Sequence, residues 1–249
     1  MVRHPAGSAG PPNSSTQPRW TTHDRPMTDS KQQRINMVES QVRPSDVTDR
    51  RIIRAMLEVP REMFVPRSLQ ALAYMDEAVP AVEPAVGRSR RFLLAPRTFA
   101  KLVQLAEIGP DAVVLDVGCA TGYSTAVLAR LAKAVVAVEV DTALASHATQ
   151  TLRQLGVNNA LVIEGALEMG ALSHAPFDAI LLEGAVPRVP GGLLEQLKDG
   201  ARLVAVIADG AFGRAQVWQR TGKVFDSRPV FDAGAEPLPG FARQADFVF

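Results

Sequence analysis

Val113 to Ala129 reads VVLDVGCATGYSTAVLA. A short, β-branched apolar run closes on Asp116 and Val117. The small or polar residues Gly118, Cys119, Ala120, Thr121 and Gly122 follow, and an amphipathic stretch begins at Tyr123. That order predicts a buried strand, a tight turn and a helix. Small residues let backbone approach a ligand closely, and a helix N-terminus presents unsatisfied N–H groups to it.

Outward from this segment the same rhythm repeats. Apolar strand-like runs lie at Ala112 to Val117, Ala134 to Val140, Ala160 to Ile163, Asp178 to Leu182 and Arg202 to Ile207. Helical patterns lie at Thr98 to Glu107, Tyr123 to Leu131, Leu144 to Leu155 and Gly192 to Leu197. Alternation of this kind predicts an α/β fold, a Rossmann-like doubly wound sheet with helices on both faces. Two further strands are expected near Gln216 to Arg220 and Arg243 to Phe249, separated by a Gly- and Pro-rich loop, making a mostly parallel, seven-stranded sheet.

Upstream, Ile35, Val38 and Val42 share one helical face that Pro44 halts, with Asp46 or Thr48 placed to cap the next helix. There Ile52, Ile53, Met56 and Leu57 form the apolar stripe and Pro60 ends it. Arg61 to Ser89 is broken by Pro66, Pro80, Pro84 and Gly87, with one short helix expected around Ser68 to Tyr74, which suits a cap over a site. Residues 1–30 are rich in Pro, Gly, Ser and Thr with few aliphatic side chains, and a disordered tail is expected. The expected organisation is therefore a tail at 1–30, an N-terminal helical cap at 31–97 and a ligand-binding domain at 98–249.

The 249 residues carry 27 Lys and Arg against 26 Asp and Glu, so no global field draws the chain to nucleic acid or anionic lipid. Cys119 is the single cysteine, which excludes an internal disulfide and suits a reducing compartment. With no apolar run able to cross a bilayer, a soluble, cytoplasmic protein is expected.

Glu139 ends the second strand about 20 residues past the turn, where an acid accepts hydrogen bonds from ribose hydroxyls. An adenosine-like ligand follows. Aligned from Gly118, the dinucleotide pattern GxGxxG meets Ala120 and Tyr123 at its second and third glycines, and a tyrosine cannot permit close helix packing. NAD is disfavoured. Asp116, two residues before Gly118, together with Gly122 resembles the first motif of S-adenosylmethionine-dependent methyltransferases. That resemblance implies Asp116 at the methionyl ammonium, Gly118 and Gly122 beneath the methionine, and Glu139 on the ribose. Cys119, in the cofactor-binding turn at a helix N-terminus where a thiol can become acidic, serves as a small side chain, and Tyr123 packs over the cofactor or simply begins the helix.

Val42 to Pro66 (VRPSDVTDRRIIRAMLEVPREMFVP), Ala71 to Pro80 (ALAYMDEAVP) and Phe177 to Val204 (FDAILLEGAVPRVPGGLLEQLKDGARLV) resemble the protein L-isoaspartate O-methyltransferase family. The likeness runs from about Met37 to Val206, in order and without large gaps. It implies methyl transfer from S-adenosylmethionine to the carboxylate of an isoaspartyl residue in a protein or peptide substrate, the first step of protein repair. A carboxylate is ionised and nucleophilic near pH 7, so the step needs positioning more than a general base.

Three departures bear on substrate and cofactor. Phe92, Leu93, Leu94, Ala95 and Pro96 stand where the family has a Thr-Ile-Ser-x-Pro-like substrate stretch, so Leu94, Pro96 and neighbouring Arg91 are the expected substrate contacts without its hydroxyls. Gly165, Ala166 and Leu167 stand where the family has Gly-Asp-Gly at the adenine, which leaves Gly165 and Ala166 there with Glu164 or Glu168 as substitutes. Glu183, with Gly184 and Ala185, replaces small polar residues after the fourth strand. Glu183 is the candidate catalytic residue, orienting or deprotonating a non-carboxylate acceptor; alternatively it pairs with Arg188 or another arginine.

Arg88, Arg90, Arg91 and Arg97 crowd the substrate segment, where they either recognise an anion or are merely solvated. His147 and His174 lack metal-ligand spacing, and no metal is expected. The second functional reading is a divergent member that binds the cofactor but uses another acceptor or acts as an interaction module. A nucleic-acid methyltransferase lacks both a basic domain and an aromatic acceptor motif.

Overall fold

The computed structural model describes residues 1–2, 28–83, 90–208 and 212–241. Helix α1 begins at Thr28 (Thr28–Met37), three residues inside the expected tail, and continues through a π-helical turn (Val38–Val42) and a 3₁₀ turn (Arg43–Ser45). Helix α2 (Arg50–Glu58) is capped by Asp49, whose carboxylate accepts from Arg51 N, rather than by Asp46 or Thr48. Asp46 instead takes a left-handed conformation that closes the preceding turn. Two 3₁₀ turns (Arg61–Phe64 and Arg67–Leu72) lead to β1 (Val79–Pro80), which pairs antiparallel with β2 (Phe92–Leu93). Helix α3 (Pro96–Leu105) then starts on a proline at N1, which suits that position because its missing N–H would have no partner there.

The main sheet contains β3 (Val113–Val117), β4 (Ala134–Glu139), β5 (Ala160–Glu164), β6 (Phe177–Val186), β7 (Leu197–Ala208), β8 (Gly213–Thr221) and β9 (Val224–Asp232), in the order β5-β4-β3-β6-β7-β8-β9. The first five strands run parallel, and β8 and β9 return as an antiparallel hairpin. Helices α4 (Tyr123–Leu128), α5 (Thr142–Gln154) and α6 (Gly191–Leu194) join the parallel strands. The seven-stranded, mostly parallel, Rossmann-like sheet is the expected fold. A strand stands at Val224–Asp232, in the stretch expected as loop, and the strand expected at 243–249 lies outside the described residues. Pro229 and the mostly exposed side chains made this stretch read as loop, but β9 is the sheet's edge, where proline and solvent-facing positions are tolerated.

Strand alternation divides the interior into two layers. Val114, Ala179, Leu181 and Val204 join the core that also holds Met37, Ile52, Met56, Phe64, Phe99 and Tyr123. Leu115, Val117, Ile180, Leu182 and Leu203 join the core under Leu167 and Leu193. The N-terminal helices thus share one apolar core with the sheet. Asp116 alternates with Leu115 and Val117, Glu139 with Val138, and Glu183 with Leu182, so all three acids fall on the face that the N-terminal region covers. Strand β3 lies between β4 and β6, where strand order reverses and α/β folds bind ligands beyond the strands' C-terminal ends.

Candidate cofactor site

The turn after β3 is built by backbone geometry that its small residues permit. Gly118 and Gly122 hold φ of +82° and +94°, and Ala120 also lies in the left-handed region at +48°. A Cβ on Gly122 would stand 3.1 Å from Ala148 Cβ, so this glycine also lets α4 pack closely on α5. Gly118 N donates to Val138 O (2.8 Å), which locks the turn to β4. Thr121 Oγ1 donates to Phe64 O (2.6 Å), which ties it to the N-terminal region.

Asp116 is fully buried. Its Oδ2 accepts from Ser124 Oγ (2.8 Å) and Thr125 Oγ1 (2.6 Å), while Oδ1 has no hydrogen-bond partner among the described residues. Burial pushes its carboxyl from the usual 3.8 up to about 6, against the pull of those two hydroxyls. Glu139 is also fully buried. Its Oε1 accepts from Val140 N (3.0 Å) and Asp141 N (3.2 Å), and its Oε2 from Ala120 N (2.8 Å) and Arg91 Nη2 (3.0 Å). Four donors fill the acceptor sites of one carboxylate.

Arg91 is expected as a substrate contact; its guanidinium is buried on residues expected to hold the cofactor, donating from Nη2 to Gly118 O (2.7 Å) as well as to Glu139. A Cβ on Gly118 would stand 2.9 Å from both Arg91 Nη2 and Leu238 Cδ2. Leu238 belongs to a C-terminal strap: Ala185 N donates to Glu236 O (2.8 Å) and Leu238 N to Ala185 O (2.9 Å). Buried Leu167, just past β5, lines the same spot.

Leu94 and Arg91 do line one cavity with Arg90, Phe92, Glu183 and the strap, but this cavity is about 10 Å³, room for one water at most. Pro96 does not reach it and is buried at the start of α3. Gly165 is half-buried and Ala166 exposed, and Glu168 packs against Gly240 beyond the strap. Tyr123 begins α4 and buries its ring against Phe64 and Phe99, with Arg61 stacked 4.6 Å from its centroid. Cys119 is buried beside Ala137 and Ala148, and burial pushes its thiol well up, with Asp116 and Glu139 adding to the effect. It is a small, neutral side chain.

Glu183 is buried, with no hydrogen bond or ion pair among the described residues; Arg188 is exposed and not its partner. Burial and then the Asp116 charge push its carboxyl well above the ordinary range, opposed by Arg61 and Arg91. Arg97 pairs with Asp76 (3.4 Å), Arg90 is exposed at the cavity mouth, and Arg88 lies outside the described residues. Sequence reasoning missed fully buried Arg61, which donates to Ala73 O and Leu94 O (2.7 Å each) and whose Nη1 has no hydrogen-bond partner among the described residues. It also missed Leu238 and the hydroxyl pair on Asp116, and it named Leu167 only as part of the adenine stretch. Only Ser124 and Thr125 had a readable signal, one helical turn from the motif's acid.

Asp116, Gly118, Gly122 and Glu139 fit S-adenosylmethionine in type and placement, and Asp116 Oδ1 is free to take an ammonium. The space does not fit it, because Arg91 and Leu238 stand over Gly118 and Arg91 completes Glu139's donors. Fold and residue set together define an α/β domain of the S-adenosylmethionine-dependent methyltransferase class. Residues 32–232 match the family model for protein-L-isoaspartate(D-aspartate) O-methyltransferase. A protein-L-isoaspartate O-methyltransferase of Herpetosiphon aurantiacus is 37% identical over 84% of this chain and 91% of its own length. One of Methanoregula boonei is 34% identical over 84% and 93%. The chain belongs to the protein-L-isoaspartate O-methyltransferase family. Its fold matches a solved protein-L-isoaspartate O-methyltransferase with a TM-score of 0.74, at 23% identity over 84% of this chain and 67% of the other. It also matches a Plasmodium falciparum protein assigned to the same methyltransferase and solved with S-adenosyl-L-homocysteine, with a TM-score of 0.67 at 17% identity over 85% and 98%.

Proposed function

We propose that this chain transfers a methyl group from S-adenosylmethionine to a carboxylate of a protein or peptide, the isoaspartyl carboxylate for which its relatives are named, and does so in the cytoplasm. The family match over residues 32–232 carries this reading. When bound, the cofactor supplies an electrophilic methyl group on a sulfonium. In this reading Asp116 Oδ1 receives the ammonium, and Gly118 and Gly122 let backbone approach the methionine. A net charge of +1 sets up no global field that would draw nucleic acid or anionic lipid.

Glu183 stands on the acceptor side beside Arg90 and Arg91. Its raised pKa favours the neutral carboxyl, which donates a hydrogen bond to an acceptor carboxylate instead of repelling it. Its proposed role is therefore to orient a carboxylate, not to deprotonate an amine. Initial rates of methyl transfer to an isoaspartyl peptide test this. Glu183→Gln, which keeps a donor, is expected to retain transfer. Glu183→Ala is expected to lose about tenfold or more, the value of one hydrogen bond to a charged group. The wild-type rate should fall as pH rises through the Glu183 titration, and that fall should vanish in Glu183→Gln. Cofactor binding without transfer to this peptide would sink the isoaspartyl acceptor. The arginine over Gly118 favours a second reading, an interaction module that has given up the cofactor, and the same assay separates the two.

A further inference from the structure

We infer that the cofactor cleft is closed by the chain itself: the Arg91 guanidinium and the Glu236–Leu238 strap occupy the cofactor's place and are displaced when it binds. This rests on reading the cleft as an S-adenosylmethionine site and adds a gate to it. Ribose hydroxyls cannot reach a carboxylate that already takes four donors, so one donor has to leave. Three of the four are backbone N–H groups of the turn and of the chain after β4. Arg91 alone can swing away without unmaking the fold.

The closure is polar and incomplete rather than a repacked apolar plug. Arg91 Nη1 and Asp116 Oδ1 are both buried without a partner among the described residues, a state that costs free energy; a ligand's ammonium would relieve the carboxylate, and swinging out to water would relieve the guanidinium. On the other side, Leu238 lies over Gly118 and Gly184, held to β6 by the two backbone hydrogen bonds at Ala185. These contacts can open without breaking a strand of the sheet.

Calorimetric titration with S-adenosylhomocysteine, on full-length wild type, Arg91→Gln and Leu238→Ala, tests the gate. Thermal melts establish that each variant is folded. Arg91→Gln is expected to bind at least tenfold more tightly than wild type, and Leu238→Ala more tightly by a smaller factor. Should Arg91→Gln not fold, Leu238→Ala decides. Amide exchange gives a readout independent of affinity: ligand should speed exchange at Leu238 N while Ala120 N stays protected by Glu139. Equal affinity in all three proteins, or weaker binding by Arg91→Gln, overturns the gate and leaves the methyltransferase reading standing. Absence of binding by every variant at millimolar ligand overturns both.

Discussion

Asp116 holds two oxygens in opposite circumstances, one taken by Ser124 and Thr125 and the other buried without a partner among the described residues. Its folded pKa of about 6 lies above the usual 3.8, so between those values the folded chain binds more protons than the unfolded one. The stabilisation is complete below about pH 4 and is lost as pH rises towards 6. About two pK units correspond to roughly 3 kcal/mol. Asp116→Asn keeps an oxygen for both hydroxyls and removes the titration. Its stability relative to wild type should therefore rise by roughly that amount between pH 4 and pH 7 in urea titrations. A difference that stays flat with pH would refute the burial argument. At this scale the sequence was informative where a residue's role follows from its neighbours in the chain, as with Asp116 before Gly118. It was silent on Arg91, because a guanidinium in a basic loop reads the same whether it faces solvent or turns 27 positions along the chain to Gly118 O.

The turn between β3 and α4 concentrates the element-scale constraints. Gly122 is both left-handed and pressed on Ala148, so Gly122→Ala meets strain and a steric limit together. A cost of about 1–3 kcal/mol is expected from the backbone alone, read as a lower urea midpoint at unchanged slope. Legibility followed local chemistry here too. The parallel strands announce themselves because they are buried on both faces and run as unbroken apolar stretches. Strand β9 does not, because an edge strand alternates little and tolerates Pro229.

Across the whole molecule, the N-terminal helices share a core with the sheet. Phe64 and Phe99 meet on Tyr123, and Arg61 bridges the backbone of Ala73 to that of Leu94. Cap and methyltransferase domain should unfold together, so far-UV and near-UV signals are expected to give coincident thermal transitions. Two separated transitions would show the cap to be an independent unit. The sequence by itself determined the strand–turn–helix, the parallel sheet and the family, because burial on both faces and left-handed glycines each demand particular residue types in a local order. Only the tertiary structure decided what stands in the cleft, since the contacts of Arg91, Leu238 and Arg61 span distances at which a chain carries no periodic signal. Whether a buried charge meets its partner depends on where the whole fold brings the two together.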